Sequence, residues 1–524
     1  MYRLADQRLS RLLNCRQPAL LRGGLIGLEK ESLRVNRRGG IAQTPHPRVL
    51  GSALTHPYIT TDYSEALLEF ITPPYAGPAA ALNFLRDTQK FVYDRLGDEI
   101  LWATSMPCVL AGEANIPIAY YGESNAGKMK AVYRRGLGYR YGRVMQVIAG
   151  VHFNYSVPDT FWPVFQELEG DSGPLQAFIN DRYFGMIRNL QRFGWLVSYL
   201  FGASPAVCKS FMGGKPTRMP VFNDNTYYEP YATSLRMGDI GYQNRKEDET
   251  GVKACYDSLD SYVASLTCAI ETPCPVYEKI GVIVDGEYRQ LNANLLQIEN
   301  EYYSTIRPKQ VLNNNEKPSL ALKYRGVRYV ELRSLDVNAF DPLGISETQL
   351  RFLEAFVLFC LLHDSPVVRA DERAAIDHNQ LEAAHRGRDP ALELIVDGAT
   401  RPLRQWAGEL CGAMEGICDY LDAGDPERPY SRALALQKEA VRDADGTPSA
   451  RMLAEMREHG EGFYDFARRM SARHGMHFAD LGLDPESRAL FEREAAESLR
   501  RQAEMEAADD LPFDQYLARY FAQA

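Results

Sequence analysis

No two cysteines in the sequence stand in a C-x-x-C spacing, and their number is odd. Nine occur, at positions 15, 108, 208, 255, 268, 274, 360, 411 and 418. That distribution fits neither a disulfide framework nor a zinc ribbon, so reduced thiols in the cytoplasm are expected. Long apolar runs are also missing. The longest, Ala355 to Leu362, falls far short of the roughly 20 residues that span a bilayer, and reads as a buried helix following Glu354. The N-terminal MYRLADQRLSRLLN lacks the apolar core of a secretory signal. Positive charge is not in excess. The 59 basic residues face 69 acidic ones, a net charge of −10, which argues against a broad nucleic-acid surface. No internal repeat and no low-complexity linker divides the chain. The expectation is a cytoplasmic protein with neither a membrane nor a nucleic-acid partner.

What is present suits a large folded body. With 524 residues, 45% hydrophobic and 24% charged, the chain can bury a sizeable core without staples. Residues 1–22 read as a short amphipathic helix. From 23 to about 345, strand-like runs alternate with Gly/Pro/Asn-rich turns, and from about 346 the pattern is helical. RFLEAFVLFCLL and the Ala/Glu/Arg/Leu-rich stretch 487–510 are the clearest helices. The expected class is α+β: one unit over 1–524, with a sheet-rich body at 23–345 and a mainly helical part at 346–524. Five segments read as strands: 25–35, 66–74, 143–157, 292–303 and 326–337.

These strands carry acids. A strand sends residues i and i+2 to one face. Glu29 and Glu31 therefore share a face in LIGLEKESLRV, as do His152 and Asn154 in IAGVHFNYSV and Glu331 and Arg333 in RYVELRSL. Glu69 sits between Leu68 and Phe70, with Asp62 seven residues upstream. Any one such pair is most often a solvated face. An acid within an apolar strand needs a partner, however, and several acids aimed into one space repel one another and resist desolvation. Divalent cations resolve that conflict, and oxygen-rich ligand sets suit Mg²⁺ or Mn²⁺. Acids, cations and a nearby arginine together make a phosphoryl-transfer site. Spacing alone leads only as far as a candidate polymetal nucleotide site.

The stretch KMKAVYRRGLGYRYGR, 128–143, has six basic residues and no acid. In an acidic protein it suggests a local site for a phosphate or a carboxylate, with Gly136 and Gly138 letting backbone approach a ligand closely; a solvated basic surface is the alternative. GESNAGKM, 122–129, matches the P-loop pattern except at Met129, which replaces the hydroxyl that would hold Mg²⁺. It is not read as a P-loop.

Seven motifs occur in order: GLEKESLRV, ITTDYSEALLEFITP, RYGRVMQVIAGVHFNYS, RFGWLVSYLFGASPA, ATSLRMGDIGYQN, LQIENEYYSTIRPK and RYVELRSLDVNAFDP. Together they resemble the proteobacterial type of glutamate–cysteine ligase over about residues 15–365, and more loosely beyond. The resemblance implies a glutamine-synthetase-like fold, a curved and mainly antiparallel sheet forming a funnel with helices outside. It implies ATP-dependent joining of the glutamate γ-carboxylate to the cysteine amine, with Mg²⁺ or Mn²⁺ as cofactor. A ligase that couples glutamate to a different amine is the alternative. By the same resemblance the metal-binding residues are Glu29, Glu31, Asp62, Glu69, His152 and Glu331. Glu331 and Arg333 are the catalytic pair, with Arg333 contacting phosphate or glutamate. Tyr63, Tyr133, Leu137, Gln146, Arg236, Tyr242 and Tyr303 form the cysteine pocket, and Arg134 is a candidate for a substrate carboxylate. Feedback inhibition by glutathione, which contains both substrate parts, is a further expectation.

Overall fold

A computed structural model describes residues 2–15, 19–241, 253–313 and 315–523. Its centre is an open antiparallel sheet. The strands used below are β1 (Leu25–Val35), β2 (Ile59–Thr61), β3 (Leu67–Ile71), β4 (Tyr75–Ala76), β5 (Ile100–Leu101), β6 (Gly150–Ser156), β7 (Ile306–Lys309) and β8 (Tyr329–Asp336). Their order is β7-β8-β6-β1-β3-β2, with β4 and β5 pairing to the two ends of β1. Every pairing in this sheet is antiparallel.

β1 shows why the sequence pattern works. Ile26 and Leu28 are fully buried on one face, and Lys30 joins them, donating to Ser32 Oγ and to Gln89 Oε1 at 2.8 Å each. Gln89 belongs to helix α2 (Pro78–Tyr93), which packs behind the strand. Glu29 and Glu31 point the other way. The reverse of the sheet is closed by helices: α1 (Arg3–Asn14), α4 (Leu175–Phe193) and α5 (Glu347–Leu362) form one layer with α2. Helix α3 (Asn125–Tyr141) stands over the acid-bearing face. Helix α5 opens with a capping box between Ser346 and Gln349, and its apolar run is buried throughout.

The region after residue 345 is helical apart from a hairpin at 393–402. Its helices include α6 (Ala370–Arg386), α7 (Pro429–Arg442), α8 (Pro485–Ala508) and α9 (Phe513–Phe521). Among the described residues, no helix is long and apolar enough to cross a membrane.

Three expectations are corrected. Residues 292–303 form loop and a short 3-10 turn (Glu299–Glu301) instead of a strand. The run of apolar residues there serves burial within a loop network, in which Asn292 and Gln297 side chains satisfy backbone groups. The strand expected over 143–157 begins only at Gly150, because Met145–Val147 forms a 3-10 turn. Cys108 and Cys208 are not reduced thiols but a disulfide, with Cα atoms 5.5 Å apart and a sequence separation of 100. A pair so distant leaves no spacing signal. Both residues are buried where the loop after β5 runs beside the short strand 206–208. The other seven cysteines are in no disulfide.

Candidate active site

Strand register assembles four of the five acids, and Asp62 comes from the loop after β2. Glu29 lies opposite His152 and Glu31 opposite Glu69 across β1, and Glu331 pairs with Asn154 and Arg307. One cavity of about 310 Å³ is lined by Glu29, Glu31, Asp62, Glu69, His152, Glu331 and Arg333. Tyr63, Tyr133, Arg134, Leu137, Gln146, Arg236 and Tyr303 line it too. Tyr242 lies outside the described residues. Residues spread over some three hundred positions thus meet in one space.

His152 is the hub. Its Nδ1 is 2.8 Å from Glu29 Oε2 and 3.5 Å from Glu331 Oε1, and its Nε2 is 3.6 Å from Glu31 Oε1. Ligand atoms of Glu29, His152 and Glu331 all lie within 4.8 Å of one another. Arg333 donates to Glu331 Oε1 at 2.7 Å, and Lys309 Nζ sits 3.3 Å from Glu331 Oε2. Asn154 donates to Glu29 Oε1 at 3.1 Å, and the Gly150 amide donates to Glu31 Oε2 at 2.6 Å. A bulge between Leu332 and Leu335 breaks the β8 register just where Arg333 emerges.

The electrostatics are divided. Burial pushes the Glu69 carboxyl well above the usual range, and Glu29, Asp62 and Glu31 add to the effect. Burial raises Glu31 likewise, against the pull of His152. Glu331 is also buried, yet Arg333 and Lys309 beside it hold its carboxyl well below the usual range. Directly opposed acids such as Glu31 and Glu69 are unfavourable in a sheet without a counter-charge. The buried polar atoms that make no hydrogen bond among the described residues include His152 Nε2, Asn154 Oδ1 and Glu331 Oε2, the last with Lys309 Nζ 3.3 Å away. Buried acceptors left in this way call for a cation.

Helix α3 builds the opposite wall. Gly136 and Gly138 do not open space for a ligand. A Cβ at Gly136 would meet Gln297 Oε1 at 2.2 Å, and one at Gly138 would meet the Tyr63 hydroxyl at 2.6 Å. Both glycines let protein pack on protein. Arg134 Nε donates to the Asp62 carbonyl, and its guanidinium lies 4.7 Å from the Tyr121 ring centre. It therefore fixes the loop that presents Asp62. Gln146 and Tyr303 bond reciprocally at 2.7 and 2.9 Å. The P-loop-like segment caps this helix: Ser124 Oγ accepts from the Gly127 amide, and Asp509 and Glu506 take the amides of Asn125 and Glu123. Acids already occupy the place a phosphate would need.

Arg236 reaches the cavity from a loop. It is 1% exposed, donates to the Arg333 carbonyl at 2.9 Å, and lies 3.9 Å from Asp336 Oδ1. A Cβ at Gly150 would meet its guanidinium at 2.1 Å.

Sequence reasoning passed over Lys309, Arg307, Lys130 and Asn300, which also line the cavity. Arg307 and Lys309 alternate in STIRPK, and the period-two rule applied to that stretch would have found them.

The family model for glutamate–cysteine ligase matches residues 9–383. Glutamate–cysteine ligases from Alcanivorax borkumensis and Pseudomonas putida KT2440 are 48% and 49% identical, over 98% and 100% of this chain and 99% of each relative. The chain belongs to the glutamate–cysteine ligase family. The ligase accordingly carries out the ATP-dependent joining of glutamate to cysteine that begins glutathione synthesis. Its structure also resembles the crystal structure of the Francisella tularensis glutamate–cysteine ligase in complex with AMP, with a TM-score of 0.89 and 37% identity over 95% of this chain and 97% of that one. A bifunctional glutathione synthetase from Pasteurella multocida shares the fold at a TM-score of 0.73 and 23% identity, over 94% of this chain and 58% of that one.

Proposed function

We propose that the ligase activates the γ-carboxylate of glutamate as a γ-glutamyl phosphate within this cavity. Glu29, Glu31, Asp62, Glu69, His152 and Glu331 hold Mg²⁺, with Mn²⁺ as a substitute. The donor set fits: oxygen-rich, with one imidazole, and with buried ligand atoms that make no hydrogen bond. When bound, the metal supplies positive charge against the triphosphate and the transferring phosphoryl group.

The remaining work belongs to the chain. A carboxylate is a poor acyl donor because its leaving group would be oxide. Transfer of the γ-phosphoryl of ATP to the glutamate γ-carboxylate replaces that with phosphate. The amine of cysteine then attacks the acyl carbon and phosphate departs. Arg333 forks onto phosphoryl oxygens, and Lys309, 3.3 Å from Glu331, adds a second cation on the same side. Arg236 pairs with the cysteine carboxylate, while Tyr63, Tyr133, Leu137, Gln146 and Tyr303 wall the cysteine side chain with aromatic faces and hydroxyls. No protein nucleophile takes part. Catalysis is positioning and charge neutralisation in a space that excludes water. Glutathione, which contains both substrate parts, competes for the same cavity.

The single observation that carries this reading is the convergence of the acids and the imidazole on one cavity beneath Arg333. Its test is Glu331→Gln in a coupled assay for ADP, with glutamate and cysteine omitted in turn. ADP release needs both amino acids, and the variant turns over at least about 100-fold more slowly at saturating Mg²⁺ with its melting temperature retained. Wild-type turnover in the variant would remove Glu331 from the metal site.

A further inference from the structure

Helix α6 ends against the loop that carries Arg236. The loop, residues 229–241, leaves the strand at 226–228 and hydrogen-bonds to that helix end. The amides of Thr233 and Ser234 donate to the Ala384 carbonyl at 2.9 and 3.1 Å, and the Thr233 hydroxyl donates to the Ala383 carbonyl at 2.8 Å. Arg388, just past the helix, donates to the carbonyls of Pro230 and Ala232 at 2.7 and 3.3 Å.

His385 adds what these backbone bonds cannot: it reaches both ends of the loop. Its Nδ1 is 2.8 Å from Glu229 Oε2, and its Nε2 is 3.3 Å from Asp239 Oδ1. Glu229 stands seven residues before Arg236 and Asp239 three after it. The imidazole closes the loop like a rivet. Burial works against its charge, but the hydrogen bonds it donates to Asp239 and Glu229 prevail and raise its pKa to about 9. As an imidazolium, both ring N–H groups donate to carboxylates. As a neutral ring with Nδ1–H, Nε2 instead accepts from the Asp239 amide, 3.1 Å away. Either form ties the ends together. Gly238 leaves room for the ring, since a Cβ there would lie 2.7 Å from His385 Nε2. His385 and Arg388 both stand beyond the residues matched by the family model.

We propose that His385 is a positioning residue for the amine-substrate pocket. By bridging Glu229 and Asp239 it sets where the loop holds Arg236 against the cavity, and so sets the affinity for cysteine. It touches neither substrate nor the phosphoryl site. The inference rests on the reading of Arg236 as the partner of the cysteine carboxylate.

The middle of the loop is anchored from outside: the Leu235 amide donates to the Ser204 carbonyl at 2.7 Å, and the Ser234 hydroxyl donates to Asp336 Oδ1 at 2.8 Å. Arg236 stands at the edge of that anchor, where the chain turns into residues 237–239 under His385. Loss of His385 therefore leaves the turn folded and frees the segment after Arg236, which shifts how its side chain is held against the cavity. Because Arg236 acts on one substrate, the effect falls on one Michaelis constant.

The experiment compares full-length His385→Ala, His385→Gln, Gly238→Ala, the Gly238→Ala/His385→Ala double variant and Arg236→Lys. His385→Ala raises the KM for cysteine about tenfold, with kcat and the KM for ATP within about twofold. His385→Gln, whose amide keeps one donor and one acceptor, recovers most of the loss. Gly238→Ala, which crowds the ring, raises the same KM. That second effect shrinks in the double variant, where the ring it would strike is gone. If His385→Ala does not fold, the Gln variant and Gly238→Ala still decide: both leaving the cysteine KM unchanged overturns the proposal. A loss shared equally by kcat and every KM overturns it as well, in favour of plain structural support. Arg236→Lys separates the two levels. An unchanged cysteine KM there sinks the reading of Arg236 itself, whereas a raised one beside a silent His385→Ala sinks only the latch.

Discussion

Glu354 offers the most direct quantitative test of the buried electrostatics. It lies in the apolar run of α5, 2% exposed, and meets two tyrosines. Tyr430 of α7 donates to its Oε2 at 2.6 Å, and Tyr155 of β6 lies 3.4 Å from its Oε1. Burial outweighs both hydrogen bonds and raises the carboxyl from 4.5 to about 7. The folded chain thus keeps a proton that the unfolded chain gives up at lower pH. The stabilising term is whole below about pH 4.5 and is lost as pH rises through about 7. At 1.36 kcal/mol per pKa unit the loss comes to about 3 kcal/mol above neutrality. With an unfolding entropy of about 2.1 cal/mol/K per residue, a chain of this length shifts its melting temperature by about 3 °C for that loss. Glu354→Gln removes the charge and keeps the bond, because the amide oxygen still accepts from Tyr430. Differential scanning calorimetry should place the variant about 3 °C above wild type at pH 8, and within about 1 °C of it at pH 5. A gap that stays constant between the two pH values, or a variant less stable at both, would show that burial does not raise the Glu354 carboxyl in the folded chain.

Two further outcomes follow from the packing. Ellman titration in denaturant, without reductant, should count seven thiols instead of nine. Dithiothreitol should then lower the melting temperature by several degrees, since cross-links closing loops of this length contribute about 2–5 kcal/mol; nine thiols would refute the pairing of Cys108 with Cys208. Gly150→Ala should raise the cysteine KM about tenfold or more, because its methyl group claims the space of the Arg236 guanidinium. An unaltered cysteine KM with an ordinary melting curve would mean that Arg236 has slack the geometry does not reveal.

The legible parts of the sequence were those whose physics is local. β1 begins and ends where LIGLEKESLRV begins and ends, because Ile26 and Leu28 fall on one face and Glu29 and Glu31 on the other at the period of a strand. Glu29, Glu31, Glu331 and Arg333 were visible as same-face pairs for the same reason. That they meet was not visible, because register between distant strands leaves no mark in a single sequence; the family resemblance supplied that step. Residues 292–303 misled because their apolar residues serve a loop, whose order comes from side chains such as Arg140, Gln297 and Glu301 bonding across it. His385 left no trace at all. A histidine in a polar helix is unremarkable until two carboxylates arrive from a segment some 150 residues away.

The placement of Glu331 and Arg333 on β8, apart from Glu29 and Glu31 on β1, makes the sheet an interlock. β6 lies between them and contributes His152. On the proposed assignment, a chain in which β8 has not yet docked holds four of the five acids but lacks Glu331 and the guanidinium assigned to phosphate. On that assignment it would gather a cation without gripping a nucleotide, and so would not spend ATP before the sheet is complete. Competence arrives with the last strand.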